Sequence, residues 1–112
     1  MTHSFALHVP DARARTRAAR PGADRTPEVT GKVVWESEDG RQVRGIWQIT
    51  PGVVTDTEAD ELLVVISGSA TIEVEGGPTL RVGPGDMAVL SEGDRTRRTV
   101  HETLRKAYAI TL

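Results

Sequence analysis

Four short hydrophobic runs, each followed by a glycine, occupy the middle of the chain. They read DELLVVISG, SATIEVEGG, PTLRVGPGD and MAVLSEG, from Asp60 to Gly93. Leu62 to Ile66 are apolar at every position, which is typical of a short strand buried on both faces. Ala70 to Glu75 alternates instead, with Ile72 and Val74 on one face, as in a half-buried strand. The pattern therefore predicts an antiparallel meander with a turn at each glycine.

Alternating segments on both sides of this region add further predicted strands. Glu28 to Glu36 and Arg41 to Thr50 form a hairpin around a turn with Asp-Gly chemistry, and Val53 to Asp60 is a polar connection into the centre. Two last strands are predicted from Arg95 to His101 and from Thr103 to Leu112. About nine short strands and no long helix indicate an all-β sandwich or barrel.

Charge divides the chain into an N-terminal arm, residues 1–27, and a predicted β-barrel, residues 28–112. The arm holds five Arg against two Asp, and the barrel nine Lys or Arg against fourteen Asp or Glu. An acidic body argues against nucleic acid as a partner, because phosphate binding needs a concentrated basic face. The arm is expected to be partly mobile or to add as an edge or swapped strand. Because the core is small, we also expect a homodimer.

Three absences narrow the class of protein. The sequence has no Cys, so it has neither a disulfide nor a cysteinyl metal site. No window approaches the about eighteen apolar residues of a membrane-spanning helix. The first residues lack the cationic start and the long apolar core of a secretory signal. We therefore expect a cytoplasmic protein whose partner is a small molecule rather than a membrane or a nucleic acid.

Several short motifs resemble those of the cupins. A glutamate followed seven residues later by a glycine, Glu61 with Gly68, resembles the end of cupin motif one. The stretch from Gly83 to Gly93, with its Pro-Gly-Asp turn, resembles motif two. The tail from Val100 to Tyr108 is similar to small single-domain cupins grouped with ethanolamine-utilisation and ureidoglycine aminohydrolase cupins. The resemblance covers residues 28–112 and implies an RmlC-like jelly-roll β-barrel of about nine antiparallel strands.

The motifs depart from those of metal-binding cupins at the ligand positions. In such cupins a His-x-His pair precedes the glutamate and a third histidine follows the motif-two glycine by three residues. Here those places hold Val54 to Thr57 and Thr96. The resemblance therefore implies no metal cofactor, since one glutamate does not hold a catalytic divalent ion. A divalent metal held by atypical ligands, Glu61 with Asp56 or His101, is the alternative.

Strand alternation predicts which side chains point into the barrel. If Thr96 faces inward, so does Arg98, where similar cupins carry an aromatic residue; Glu61 faces inward with Leu63 and Val65. A cation in the lumen needs a partner, and Glu61 is the nearest by topology. Arg98 would then bind a substrate carboxylate while Glu61 acts as general acid or base. A satisfied internal ion pair, or an arginine that reaches the rim, is the alternative.

Other residues complete the predicted site. Trp47 is expected to form a wall that stacks on a flat ligand, and the tail resembling the family's Arg-Lys-x-Tyr places Tyr108 as an auxiliary proton donor. Lys106 shares its face and either binds substrate, caps a barrel end or pairs with Glu102. Hydroxyls that would orient a polar ligand belong to Thr55, Thr57 and Thr96.

These residues predict a metal-independent cupin that acts on a small polar, anionic metabolite. The reaction would use acid/base chemistry, such as isomerisation, cyclisation, elimination or C–N hydrolysis, with Glu61 and Tyr108 as catalytic residues. A non-catalytic dimeric cupin that binds a small molecule is the second hypothesis. A metal-dependent cupin with atypical ligands is the third.

Overall fold

The structure is a computed structural model and describes residues 5, 6, 8, 15, 16 and 27–112. Most of the predicted arm, residues 1–27, therefore lies outside the described residues. The described part contains eight strands and no helix, so it has no helix that is long and apolar enough to cross a membrane. The strands are β1 (Arg15–Thr16), β2 (Val29–Glu36), β3 (Gln42–Ile49), β4 (Gly52–Thr57), β5 (Asp60–Val74), β6 (Thr79–Val82), β7 (Met87–Leu90) and β8 (Arg95–Thr111).

Two long strands, β5 and β8, organise the sheet. They have 15 and 17 residues and pair antiparallel along most of their length. Where β5 begins, the second half of β8 also pairs with β3, and β5 pairs with β7. Where β5 ends, the first half of β8 also pairs with β4, and β5 pairs with β6. The same two strands therefore run through both layers of the fold.

A bend near Gly68 carries β5 and β8 from one layer into the other. The register of the pair shifts between Val65 and Ala70. Gly68 has a φ of 85°, and a Cβ built on it would lie 2.0 Å from the Thr103 carbonyl oxygen. Only glycine fits this left-handed backbone against the neighbouring chain. The glycine thus marks a bend inside one strand and not the predicted turn between two strands.

The structure confirms an all-β, antiparallel architecture and corrects three details of it. Residues Arg95 to His101 and Thr103 to Leu112, predicted as two strands, form the single strand β8 as far as Thr111. The segment from Val53 to Asp60 holds most of β4, with Val54 packed on the core and its neighbours Val53 and Thr55 exposed, and is not only a connection. The described residues hold eight strands in place of about nine. Their order, β1-β2-β3-β8-β5-β6, leaves the barrel unclosed within the described part.

The hydrophobic core consists of inward-facing side chains, some of which lie next to the bend at one end of the fold. We call this end of the fold the closed end. At the opposite end, the open end, β5 begins in one layer and β8 begins in the other. Val65, Ala70, Val100 and Leu104 are each at most 3% exposed and lie beside the bend. Removing such surface from water is the main force that holds the two layers together. The remaining core residues are Ile49, Leu63, Ile72, Val82, Ala88 and Leu90.

Candidate functional site

Four charged side chains are buried towards the open end, between the two layers, and we call them the charged cluster: Glu58, Glu61, Arg98 and Lys106. Each is 4 to 6% exposed. Glu58 lies in the connection between β4 and β5, and Glu61 is the second residue of β5. Arg98 and Lys106 are on opposite sides of the bend in β8, so they face each other across the interior. Two carboxylates and two cations balance each other, as buried charges require.

The first ion pair joins Lys106 to Glu61. The Lys106 ammonium donates a hydrogen bond to Oε2 of Glu61 over 2.5 Å. The same nitrogen lies 4.6 Å from the centre of the Trp47 ring and 5.9 Å from that of Tyr108. Burial lowers the pKa of Lys106, the positive charge of Arg98 lowers it further, and Glu61 opposes both effects. The pair therefore joins a carboxylate to a lysine that gives up its proton more readily than usual.

The second ion pair joins Arg98 to Glu58. Nη2 of Arg98 donates to both carboxylate oxygens of Glu58, over 2.6 and 2.7 Å, and Thr96 Oγ1 donates to the same carboxylate over 2.7 Å. The predicted partner of Arg98, Glu61, is 3.6 Å from Nη2. Within the described residues, Nε of Arg98 is buried without a hydrogen-bond partner. The prediction that Glu61 is the nearest partner is thus wrong, because Glu58 reaches the guanidinium first.

Trp47 and Tyr108 form the wall beside the cluster on β3 and β8. Trp47 is in register with Lys106, and Gly45 is in register with Tyr108. Both aromatic side chains are half-buried, and the Trp47 ring centre lies 5.8 Å from the guanidinium carbon of Arg98. A Cβ on Gly45 would lie 2.5 Å from the Tyr108 hydroxyl. The lack of a side chain at Gly45 therefore makes room for the phenol.

An open depression of about 650 Å³ lies at the open end of the layer that contains β4. Three of its lining residues, Asp56, Val74 and Thr96, are in register with one another across β4, β8 and β5. Trp47, Glu61 and Lys106 are not among its lining residues. Thr96 therefore connects the depression to the charged cluster through its hydrogen bond to Glu58.

Two of the predicted ligand-binding hydroxyls lie apart from the charged cluster. Thr55 and Thr57 are exposed and lie opposite Arg97 and Arg95. Alternation along β4 turns them away from the face that carries Val54, so they contribute only to the outer part of the depression. Thr96, by contrast, is 4% exposed and faces inward as predicted. The structure thus brings Trp47, Glu61, Thr96, Arg98, Lys106 and Tyr108 together.

A sequence profile for the EutQ-like cupin domain matches residues 36–108. The chain belongs to the EutQ-like cupin family. The matched range contains the whole charged cluster and both aromatic residues beside it. No curated protein sequence gives a significant match. Family membership therefore rests on the domain profile.

Solved structures support the same fold for this EutQ-like cupin. The EutQ protein of Clostridium difficile superimposes with a TM-score of 0.75 and 19% sequence identity, over 95% of this chain and 85% of that chain. A putative ethanolamine utilization protein Q from Salmonella typhimurium gives a TM-score of 0.66 and 21% identity, over 75% of this chain and 69% of that one. A protein of unknown function from Pseudomonas syringae pv. tomato gives 0.77 and 23%, over 90% and 45%. At these identities the likeness shows the fold alone.

The donor set of this EutQ-like cupin does not fit a divalent metal. Both buried carboxylates already accept hydrogen bonds from Arg98 or Lys106, and a metal ion beside them would be repelled by two cations. His101, proposed as an atypical ligand, is exposed and contacts Thr71. Residues 27–112 and the few described before them hold no group of three His, Cys, Asp or Glu side chains arranged for a metal. We derive no step through a metal ion.

The sequence did not predict Glu58 as a site residue, and it did not predict the burial of Lys106 or its pairing with Glu61. Glu58 continues the alternation of Val54 and Asp56 along β4, which would have turned it inward had the segment been assigned as a strand. Lys106 pairs with Glu61 and not with Glu102, and it lies in the interior rather than at the rim. The signal in the sequence is that Lys106 lies two residues after Leu104, and alternation places both side chains on the same, inward face.

Proposed function

We propose that this EutQ-like cupin catalyses acid/base chemistry on a small polar, anionic metabolite, without a metal ion. The observation that carries the proposal is the buried Glu61–Lys106 pair, joined over 2.5 Å. Because burial lowers the pKa of Lys106, the amine is suited to release a proton and to take one back. Such tuning by burial is common among catalytic lysines.

The remaining residues have supporting roles in this proposal. Trp47 offers a ring face on which a flat ligand stacks, and Tyr108 offers a phenol at the same wall. Arg98 supplies positive charge for an anionic group of the ligand. Isomerisation, cyclisation, elimination and C–N hydrolysis all need one proton removed and another added. Two linked titratable groups beside a neutral donor meet that need.

A non-catalytic cupin that binds a small molecule is the second candidate. The observation that favours it is the high degree of pairing within the cluster. Glu58, Glu61 and Lys106 all have charged partners, as in an ion network that only fixes the shape of the interior. Replacing a member of the charged cluster would then change stability or binding, and no reaction would be lost.

Incubating the protein with a metabolite extract and following the pool by mass spectrometry separates the two candidates. The sample is treated with a chelator first. We expect the wild type to deplete one metabolite and form its product, and Glu61→Gln to lose this turnover while still binding the metabolite. Glu102→Gln, at an exposed glutamate beside the bend that contacts Ser69 and does not line the depression, is the matched control and should keep the activity. Binding without turnover in the wild type would contradict the enzyme proposal.

A further inference from the structure

We infer that Arg98 and Thr96 form a receptor for a ligand carboxylate, and that Glu58 occupies this receptor until the ligand displaces it. The inference rests on the proposed function, in which the metabolite is anionic. It adds the donors that would hold the ligand carboxylate, Nε and Nη2 of Arg98 with the Thr96 hydroxyl, and an internal competitor for the same position. Glu58 was not among the residues predicted from the sequence.

The hydrogen bonds show that Glu58 uses only part of what Arg98 offers. Both of its oxygens accept from the single nitrogen Nη2. A guanidinium binds a carboxylate best through two parallel N–H donors, one to each oxygen. Nε could supply the second donor, yet it has no partner within the described residues. Glu58 is therefore an incomplete ligand for this arginine.

Burial makes the missing hydrogen bond of Nε unfavourable. Arg98 is 6% exposed, and Nε itself is shielded from water. A buried N–H that lacks an acceptor is unfavourable, since the group has lost its water and gained nothing in return. A ligand carboxylate that accepts from Nε and Nη2 together would satisfy the arginine better than Glu58 does. Exchanging one carboxylate for another also leaves the charge of the cluster unchanged.

The position of Glu58 suits a displacement by side-chain rotation. Its backbone is fixed, because its N–H donates to the Asp94 carbonyl over 2.8 Å and its carbonyl accepts from Gly93 over 2.9 Å. The second donor to its carboxylate, Thr96, lines the open depression. Of the two receptor residues, Thr96 lines the depression and Arg98 does not, so an anion there would meet Thr96 first and reach Arg98 when the Glu58 side chain moves aside. The rest of such a ligand would extend towards Glu61.

Formate is the smallest planar carboxylate and serves as the probe. We would titrate it at constant ionic strength, with chloride as the balancing anion, and follow the NMR signal of the Arg98 Nε–H. Glu58→Gln keeps the shape of the side chain and removes the charge. We expect it to bind formate about tenfold more tightly than the wild type, because a competing charge next to the receptor is gone. Asp56→Asn, which removes an acid from the depression but not from Arg98, should change the affinity far less.

A second variant covers the case in which Glu58→Gln is too unstable to titrate. In Glu58→Ala the receptor is empty, and we expect formate, but not chloride, to raise the melting temperature. Equal affinities of the wild type and Glu58→Gln, an equal gain in Asp56→Asn, or a failure of formate to stabilise Glu58→Ala would each overturn the inference. Tight binding of sulfate or phosphate in place of formate would overturn the carboxylate assignment. These experiments measure binding, so they succeed or fail independently of the turnover experiment.

Discussion

The closed and open ends of the interior use the same strands for different purposes. On β8, Val100 and Leu104 lie beside the bend and pack in the apolar core, whereas Arg98 and Lys106, each two residues further out, belong to the charged cluster. Burial of apolar surface is favourable by itself. Burial of an ion pair is close to neutral, because the loss of hydration offsets the attraction. The apolar core therefore accounts for stability, and the charged cluster calls for a functional explanation.

The bend at Gly68 makes this division possible. Because β5 and β8 turn there together, residues that are far apart along β8 come to face each other. The strand β8 thus supplies one cation to each layer. Lys106 pairs with Glu61 at the start of β5, and Arg98 pairs with Glu58 in the connection before β5. A flat sheet would have placed Arg98 and Lys106 about 26 Å apart, at about 3.3 Å per residue.

The largest expected effect comes from breaking one pair at the open end. Lys106→Met leaves Glu61 buried without its cation, and we expect a loss of about 3–5 kcal/mol in the free energy of unfolding. Glu61→Leu combined with Lys106→Met removes both charges and should recover most of that loss. Urea denaturation measures both. A double variant as unstable as the single one would show that the pair itself stabilises the fold.

A substitution in the apolar core, on the same strand β8, provides the comparison with Lys106→Met. Leu104→Ala at the closed end should cost about 2–5 kcal/mol through lost packing and a cavity. No second substitution of a charged residue is expected to restore it. Recovery by a change in the charged cluster would contradict the separation of the two ends.

Two glycines with left-handed backbones test the bend. Gly68→Ala places a methyl group against the Thr103 carbonyl, and we expect it to cost about 2–5 kcal/mol, the sum of a left-handed alanine and overpacking. Gly76→Ala has a similar φ, 73°, but nothing within 4 Å of the added Cβ. It should cost only about 1–2 kcal/mol. Equal losses in thermal or urea unfolding would mean that the bend does not depend on close approach at Gly68.

A smaller effect is expected from pH. Because the folded protein lowers the pKa of Lys106, the unfolded chain binds more protons than the folded one between the lowered value and about 10.4, the usual value of lysine. Stability contributed by this group therefore rises with pH across that window, by about 1.4 kcal/mol for each pH unit between the two values. The rise is measured as the free energy of unfolding of the wild type minus that of Lys106→Met, plotted against pH. A difference that falls with pH would contradict a lowered pKa.

Much of the fold could be predicted because it depends on local patterns. Alternation along single strands correctly turned Glu61, Thr96 and Arg98 inward. The pairing of the charges could not be predicted, since it depends on where two long strands bend, and Gly68 looks in sequence like an ordinary turn glycine. The burial of Lys106 could not be predicted either, because lysine is rarely buried. The homodimer, the cytoplasmic location and the role of the arm stay predictions.

The central claim is that the Glu61–Lys106 pair is a proton-exchanging site and not a fixed ion pair. The most direct measurement is an NMR titration of the two lysine side chains, with the signal of Lys106 assigned by Lys106→Met. Lys32, the chain's other lysine, is exposed and gives a reference signal in the same spectrum. We predict that Lys106 loses its proton clearly below about pH 10.4. A Lys106 signal that stays fully protonated up to or beyond that pH would contradict the account.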